Sequence, residues 1–379
     1  MIALADPIQI EAPLGPVTGS VCIFLPALLG GGAERAMVNL AEGFVRRNVP
    51  VDMVLGVVEG PYLSQLNKSV RIIPLGSVKP LPKLWALSRY LKRERPIGMI
   101  SVLDNINLAS MARRIAGVNT RVVINVQSNL SADLASHRGL RGWIKPTVMR
   151  FCYPWADELA CVSAGVAEDM AATTRLPQER IKVIFNPVRL DEIDRLAAEP
   201  TGHPWFDQPD IPVFLGTGRL MPQKDFPTLV KAFARLRSTR QARLAILGQG
   251  DELPSLKRLV AQLGLVDDVA FLGFVENPYA FMSRASVFVL SSAWEGLPTV
   301  LIEALACGTP AVSTDCPSGP REILANGLYG RLTKVGDADG LADAMSETLD
   351  SPCGGDLLRS RAADFTAERV VDQYLKLFQ

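Results

Sequence analysis

The stretch ASVFVLSSAWEGLPTVLIEALACGTPAVSTD, residues 285–315, reads as strand, turn, helix, strand. Two apolar runs, 285–292 and 309–315, flank GLPTVLIEALACG (296–308), which has Pro298 near its start and Gly308 just past its end, the usual punctuation of a helix. Two strands joined through a helix must be parallel, and apolar runs of this kind belong to a sheet covered on both faces. The same stretch holds two acids: Glu295 in the turn and Glu303 among Leu, Ile and Ala. Neither has a basic partner at helical spacing. A carboxylate among aliphatic side chains is costly unless something binds it.

Outward from this unit the pattern repeats. Apolar runs at 211–220, 243–250 and 269–275 precede it, each followed by a helical run, so five strands are expected in this half. An earlier series has runs at 21–28, 51–58, 71–76, 97–104, 121–127, 158–163 and 181–188, with helices between them. The Asn186-Pro187 turn and the proline-containing stretch 199–212 separate the two series. The expected fold is therefore α/β, with two Rossmann-like parallel-sheet domains facing across a cleft. The first spans 1–188 and the second 189–363, and the amphipathic end of the chain, 364–379, is a further helix. Ligands bind at the carboxyl ends of such strands, so two facing sheets share one site.

Composition limits the classes of function. The chain has 379 residues, of which 48% are hydrophobic, and a formal charge of +1, which gives no pull toward nucleic acid. Six cysteines form no CxxC pair, and only two histidines, His137 and His203, occur, so a histidine-based metal site is not expected. The first twenty residues lack a basic segment and carry acids and prolines, unlike a signal peptide. No apolar run approaches a membrane span. The expectation is a cytoplasmic protein with reduced thiols.

Three loops carry candidate chemistry. In GTGRLMPQKDF (216–226), Gly216 and Gly218 permit close approach of a ligand, and Arg219 and Lys224 at the strand mouth suit a diphosphate. Read alone, the two cations are equally a solvated pair. At the start of the 296–308 helix, the N–H groups from Leu297 to Thr299 and Val300, next to Gly296, would receive an anion. Glu303 could then accept from a ribose diol, and Glu295 could meet sugar hydroxyls, although each acid alone reads as a cap or a helix-face residue. The third loop, LLGGGAERAMVNL (28–40), places Gly31 and Gly32 at a strand end opening a helix, yet fits neither GxGxxG nor a Walker motif.

Together GGAER, GRLMPQKDF, LAILGQGDELPSLKRLVAQLGLVDDVAFLGFVEN and EGLPTVLIEALACGTPAV, with its two glutamates eight positions apart, resemble the retaining GT-B glycosyltransferases of family 4 (group 1) over nearly the whole chain. The resemblance implies a nucleotide-sugar donor held mostly by the second domain and a last helix that crosses back onto the first. It implies that Glu303 binds ribose, Glu295 contacts the transferred sugar, Arg219 and Lys224 hold the diphosphate, and Gly273, Phe274 and Val275 meet the nucleobase. Gly32 and the 297–300 N–H groups would help stabilise the departing phosphate. No DxD occurs in a suitable loop, so no metal or other cofactor is expected.

The chain departs from the family in one respect. Many relatives carry a histidine after the strand equivalent to 121–127, where this chain has Gln127, Ser128 and Asn129, with His137 ten residues further on. These four and Gly31 are the acceptor-side candidates, and no general base is assigned. The resemblance implies a glycan or lipid-linked acceptor. Residues 136–155 mix Arg138, Arg141, Lys145 and Arg150 with aromatic residues, which suits either an anionic membrane surface at the inner face of the cytoplasmic membrane or a packed amphipathic helix. The basic run 87–96 reads as a solvated helix end. Competing readings are a nucleotide-sugar 2-epimerase, which needs more cleft acids and histidines, and a noncatalytic sugar-nucleotide binding protein.

Overall fold

The structure is a computed structural model describing residues 19–103, 106–136, 147–207 and 211–379. Every one of the twelve apolar runs forms a strand. The first series gives β1 (Val21–Leu25), β2 (Val51–Leu55), β3 (Arg71–Pro74), β4 (Gly98–Val102), β5 (Arg121–Val126), β6 (Glu158–Cys161) and β7 (Ile181–Val183). The second gives β8 (Val213–Thr217), β9 (Arg243–Leu247), β10 (Val269–Gly273), β11 (Val287–Leu290) and β12 (Ala311–Thr314). Sequence reading missed one element, β13 (Arg331–Thr333), so the second sheet has six strands rather than five. This edge strand, Arg-Leu-Thr, holds a single aliphatic residue and so carries no apolar run to betray it.

Both sheets are parallel throughout. Their orders are β3-β2-β1-β4-β5-β6-β7 and β10-β9-β8-β11-β12-β13. In each, the order reverses beside the first strand of its series, β1 or β8, which is where open α/β sheets leave a crevice. The glycine loop leaves β1, and the 216–226 loop leaves β8. The two switch points thus coincide with two of the three loops that carry candidate chemistry.

The end of the chain, Ala367–Phe378, packs on the first domain. Tyr374, Leu375 and Phe378 join the apolar cluster beneath β1, β2 and β4. Glycine makes room for it: a Cβ on Gly98 would overlap the Phe378 ring, and one on Gly43 would press on Val371. Tyr374 also accepts a 2.6 Å hydrogen bond from Asn125 Nδ2 on β5. A separate apolar cluster holds residues of both sheets together with Leu297, Leu301 and Leu305, so the two domains meet closely.

Candidate active site

The turn after β11 is tied on both sides. Glu295 N donates to Pro317 O at 2.7 Å, and Ser318 N donates to Glu295 O at 3.1 Å. Glu295 is 5% exposed, and its side chain accepts from Lys224 Nζ at 2.5 Å and from Ser292 Oγ at 2.6 Å. The partner absent at helical spacing is therefore supplied by the loop after β8. Lys224 closes a short turn, Pro222–Lys224, whose backbone is held by Ser291 Oγ on Lys224 O at 2.8 Å. Arg219 lies on the same loop but is exposed. Its guanidinium has no ion-pair partner among the described residues, leaving it available to a ligand. The stem of Lys224 lies against Gly218.

The helix begins later than the sequence suggests. It runs Thr299–Ala306, with Pro298 just before it and no side-chain cap. Gly296 and Leu297 sit in the preceding turn, so the opening N–H groups are those of Thr299 and Val300. Gly31 precedes the Gly32–Arg46 helix, which likewise has no side-chain cap. A Cβ on Gly32 would lie 3.9 Å from Thr299 Oγ1, so two uncapped helix starts, one from each domain, face each other. Such a pair is a place for an anion.

Glu303 is 2% exposed, deeper than Glu295. Its partner comes from the other domain: Arg35 Nε stands 3.9 Å from Glu303 Oε1. Arg35 Nη2 donates to the Tyr279 hydroxyl at 3.0 Å, and its guanidinium lies 5.9 Å from the Tyr62 ring centroid and 5.4 Å from that of Tyr279. Burial pushes the Glu303 carboxyl above the usual carboxylate range, while Arg35 and a hydrogen bond with Tyr279 act against that shift. Sequence reading named neither Arg35 nor Tyr279, although Arg35 stands in the quoted GGAER loop. Only the fold brings that loop against Glu303.

Gly273 ends β10 at a φ of 73°, and its carbonyl accepts from Gly248 N at 2.7 Å. Phe274 after it is 47% exposed, and Val275 is half-buried. An exposed ring at a strand end is a stacking surface for a planar group.

The acceptor-side candidates sit at the seam between domains. Gln127 is bound into an amide network: its Nε2 donates to Asn125 Oδ1 and, at 3.0 Å, to Asn186 Oδ1, and its Oε1 accepts from Asn186 Nδ2 at 2.7 Å. Ser128 Oγ donates to Asp133. Asn129 Nδ2 donates to Ser318 Oγ at 3.3 Å across the seam. Gly296 serves the same seam, since a Cβ there would overlap the Gln127 carbonyl oxygen. Ser163 Oγ donates to Gly296 O at 2.8 Å, and Glu322 accepts from the N–H groups of Ala164 at 2.8 Å and Gly165 at 3.0 Å. His137, with Arg138, Arg141 and Lys145, lies outside the described residues. Among the described residues, no three His, Cys, Asp or Glu side chains gather as a metal site would require.

Known proteins show the same organisation. The model for group 1 glycosyl transferases matches residues 205–367, and that for glycosyltransferase family 4 matches residues 30–192. The N-acetylgalactosamine-N,N'-diacetylbacillosaminyl-diphospho-undecaprenol 4-alpha-N-acetylgalactosaminyltransferase of Campylobacter jejuni is 28% identical over 86% of this chain and 89% of its own. The lipopolysaccharide 1,6-galactosyltransferase of Salmonella typhimurium is 29% identical over 84% of this chain and 86% of its own. Anabaena HepE in complex with UDP-glucose shares the fold at a TM-score of 0.77 and 18% identity, over 94% of this chain and 98% of that one. With each half matched by a glycosyltransferase model and both sheets set as in HepE, the chain belongs to the group 1, family 4 glycosyltransferases and is a transferase of GT-B fold.

Proposed function

We propose that the enzyme transfers a hexose-type sugar from a UDP- or GDP-sugar to a glycan or lipid-linked acceptor in cell-surface polysaccharide assembly, with retention of anomeric configuration. The observation that carries this reading is the pairing of Glu295 with Lys224 and of Glu303 with Arg35 beneath two facing helix starts. In it, Glu303 accepts from the ribose, Phe274 stacks on the base, and Glu295 is oriented by Lys224 and Ser292 toward the sugar. Arg219, Lys224 and the N–H groups of Thr299 and Val300 face the phosphates.

Transfer breaks the bond from the anomeric carbon to the β-phosphate oxygen while the acceptor oxygen bonds from the same face. The acceptor proton passes to the departing phosphate oxygen, so no protein base is required. The positive charges and N–H dipoles balance the leaving group without a metal. The names of the Campylobacter and Salmonella relatives, a diphospho-undecaprenol and a lipopolysaccharide transferase, support a lipid-linked acceptor.

Such an acceptor is reached at a membrane surface, and the first domain offers a face suited to one. No helix among the described residues is long and apolar enough to cross a membrane. Val78, Leu81 and Trp85, at the start of the Pro80–Glu94 helix, are 67%, 70% and 60% exposed, and Arg89 and Lys92 are exposed further along it. Phe151 is 67% exposed, whereas Met149 and Tyr153 are buried in the core. The reading therefore docks the first domain on an anionic inner leaflet through the 78–92 face.

Released nucleoside diphosphate, measured over a panel of UDP- and GDP-sugars with lipid-linked acceptors and with EDTA present, tests the reading. Release that needs acceptor and survives the chelator is expected. An epimerised donor, or binding without turnover, would instead favour the epimerase or the noncatalytic alternative.

A further inference from the structure

Glu303 raises a question that its own domain does not answer. Its carboxylate is buried, and the nearest cation, Arg35, belongs to the opposite domain. Arg35 is itself held by that domain and by the other: Tyr62 flanks it from the Pro61–Gln65 turn, and Tyr279 accepts its hydrogen bond from the Tyr279–Met282 helix. We propose that Arg35 is a donor-positioning residue, contributed by the first domain, that keeps Glu303 ionised and aimed at the ribose. The proposal rests on the reading that Glu303 binds the ribose.

The charge logic is specific. An ionised carboxylate accepts two strong hydrogen bonds from a diol, whereas a protonated one must also donate and accepts less strongly. Burial pushes Glu303 toward the protonated form, and Arg35 pulls it back. Burial also opposes the charge on Arg35, but Glu303, Tyr279 and Tyr62 outweigh it, so the guanidinium stays charged. Among the described residues, the other titratable groups facing Glu303 are Tyr279, Tyr62 and, just past the end of its helix, Cys307. Burial raises both tyrosines and pushes the Cys307 thiol up to about 12, so all three stay neutral through the working range. A pH dependence created by removing Arg35, at pH values well below those at which these three groups ionise, would therefore report on Glu303.

The test measures UDP and GDP binding by calorimetry for wild type, Arg35→Ala, Arg35→Lys, Glu303→Gln and the Arg35→Ala/Glu303→Gln double variant, each against wild type at the same pH. Arg35→Ala is expected to weaken binding about tenfold, with the loss shrinking as pH rises, because burial without Arg35 favours the protonated carboxyl. Arg35→Lys, which keeps a point charge, should retain most of the affinity. In the Glu303→Gln background, Arg35→Ala should change little. Wild-type affinity in Arg35→Ala, or a loss that is equal at every pH and persists in the Gln background, would overturn the proposal. If Glu303→Gln itself binds like wild type, the ribose reading fails instead, whatever Arg35 does.

Discussion

Glu295 and Glu303 stand eight residues apart on one turn and helix, and both are almost fully buried, yet they are satisfied in opposite ways. Glu295 finds Lys224 and Ser292 within its own domain. Glu303 finds Arg35 and Tyr279 around a cleft to which the first domain contributes the cation. The first arrangement survives any hinge motion, and the second exists only while the domains are together. On the proposed reading, sugar and phosphate contacts are built into the second domain, whereas the ribose contact is completed by closure.

The largest expected effect lies in the pair that closure does not touch. Lys224→Ala removes a phosphate contact and strands a buried carboxylate. The lost charge-assisted phosphate contact is worth about 1.5–3 kcal/mol, ten- to a hundredfold in turnover, and the stranded carboxylate lowers stability besides. Arg219→Ala removes an exposed charge that leaves nothing stranded, so about tenfold is expected. Steady-state kinetics on the two variants checks the order. Equal, small effects would mean that neither loop cation faces the phosphates.

The two acids themselves should separate in kind. Glu303→Gln is expected to weaken nucleoside diphosphate binding about tenfold while leaving turnover at saturation nearly intact, because ribose contacts act alike in the ground and transition states. Glu295→Gln should leave nucleotide binding close to wild type and slow transfer. Calorimetry together with kcat distinguishes them, and reversal of the two patterns would exchange the roles.

How much of this was legible in the sequence follows the same division between local and long-range structure. Parallel strands write themselves as apolar runs, so the twelve that lie in such runs could be read, while the edge strand Arg331–Thr333, with one aliphatic residue, could not. The glycine loop and the acid-bearing helix were visible because turns and helix starts are local. Their partners were not. Arg35 and Glu303 are separated by most of the chain, and nothing in either segment signals that the fold will bring them together. Gly296 illustrates the point: sequence reading set it beside the N–H groups that would receive an anion, and only the structure shows its backbone approach to Gln127 across the seam. The Gln127 amide, read from sequence as facing a sugar, is bound to Asn125 and Asn186.

That seam gives a sharper version of the comparison. In Gly296→Ala the added methyl meets the Gln127 carbonyl, so the domains cannot approach as closely. Nucleotide affinity should fall severalfold, in the same direction as removal of Arg35, while the Lys224–Glu295 pair stays within its domain. Small-angle scattering should show a more open molecule. Unchanged scattering and unchanged affinity would mean that the seam yields locally and that closure does not govern the donor site.

The smallest effect on chemistry is expected farthest from the cleft. Val78, Leu81 and Trp85 project from the first domain without apolar cover, and Arg89 and Lys92 lie behind them on the same helix. Each cation near an anionic leaflet is worth about 1 kcal/mol, and the apolar residues add insertion that salt does not screen. Leu81→Ala with Trp85→Ala should therefore reduce binding to phosphatidylglycerol vesicles severalfold, even at high salt. Arg89→Glu with Lys92→Glu should reduce it only at low salt. Neither pair touches the donor site, so turnover on a water-soluble acceptor should stay within about twofold of wild type. Cosedimentation at two salt concentrations reads both terms. If neither pair changes vesicle binding, the 78–92 face is an ordinary solvated surface and the acceptor is met elsewhere.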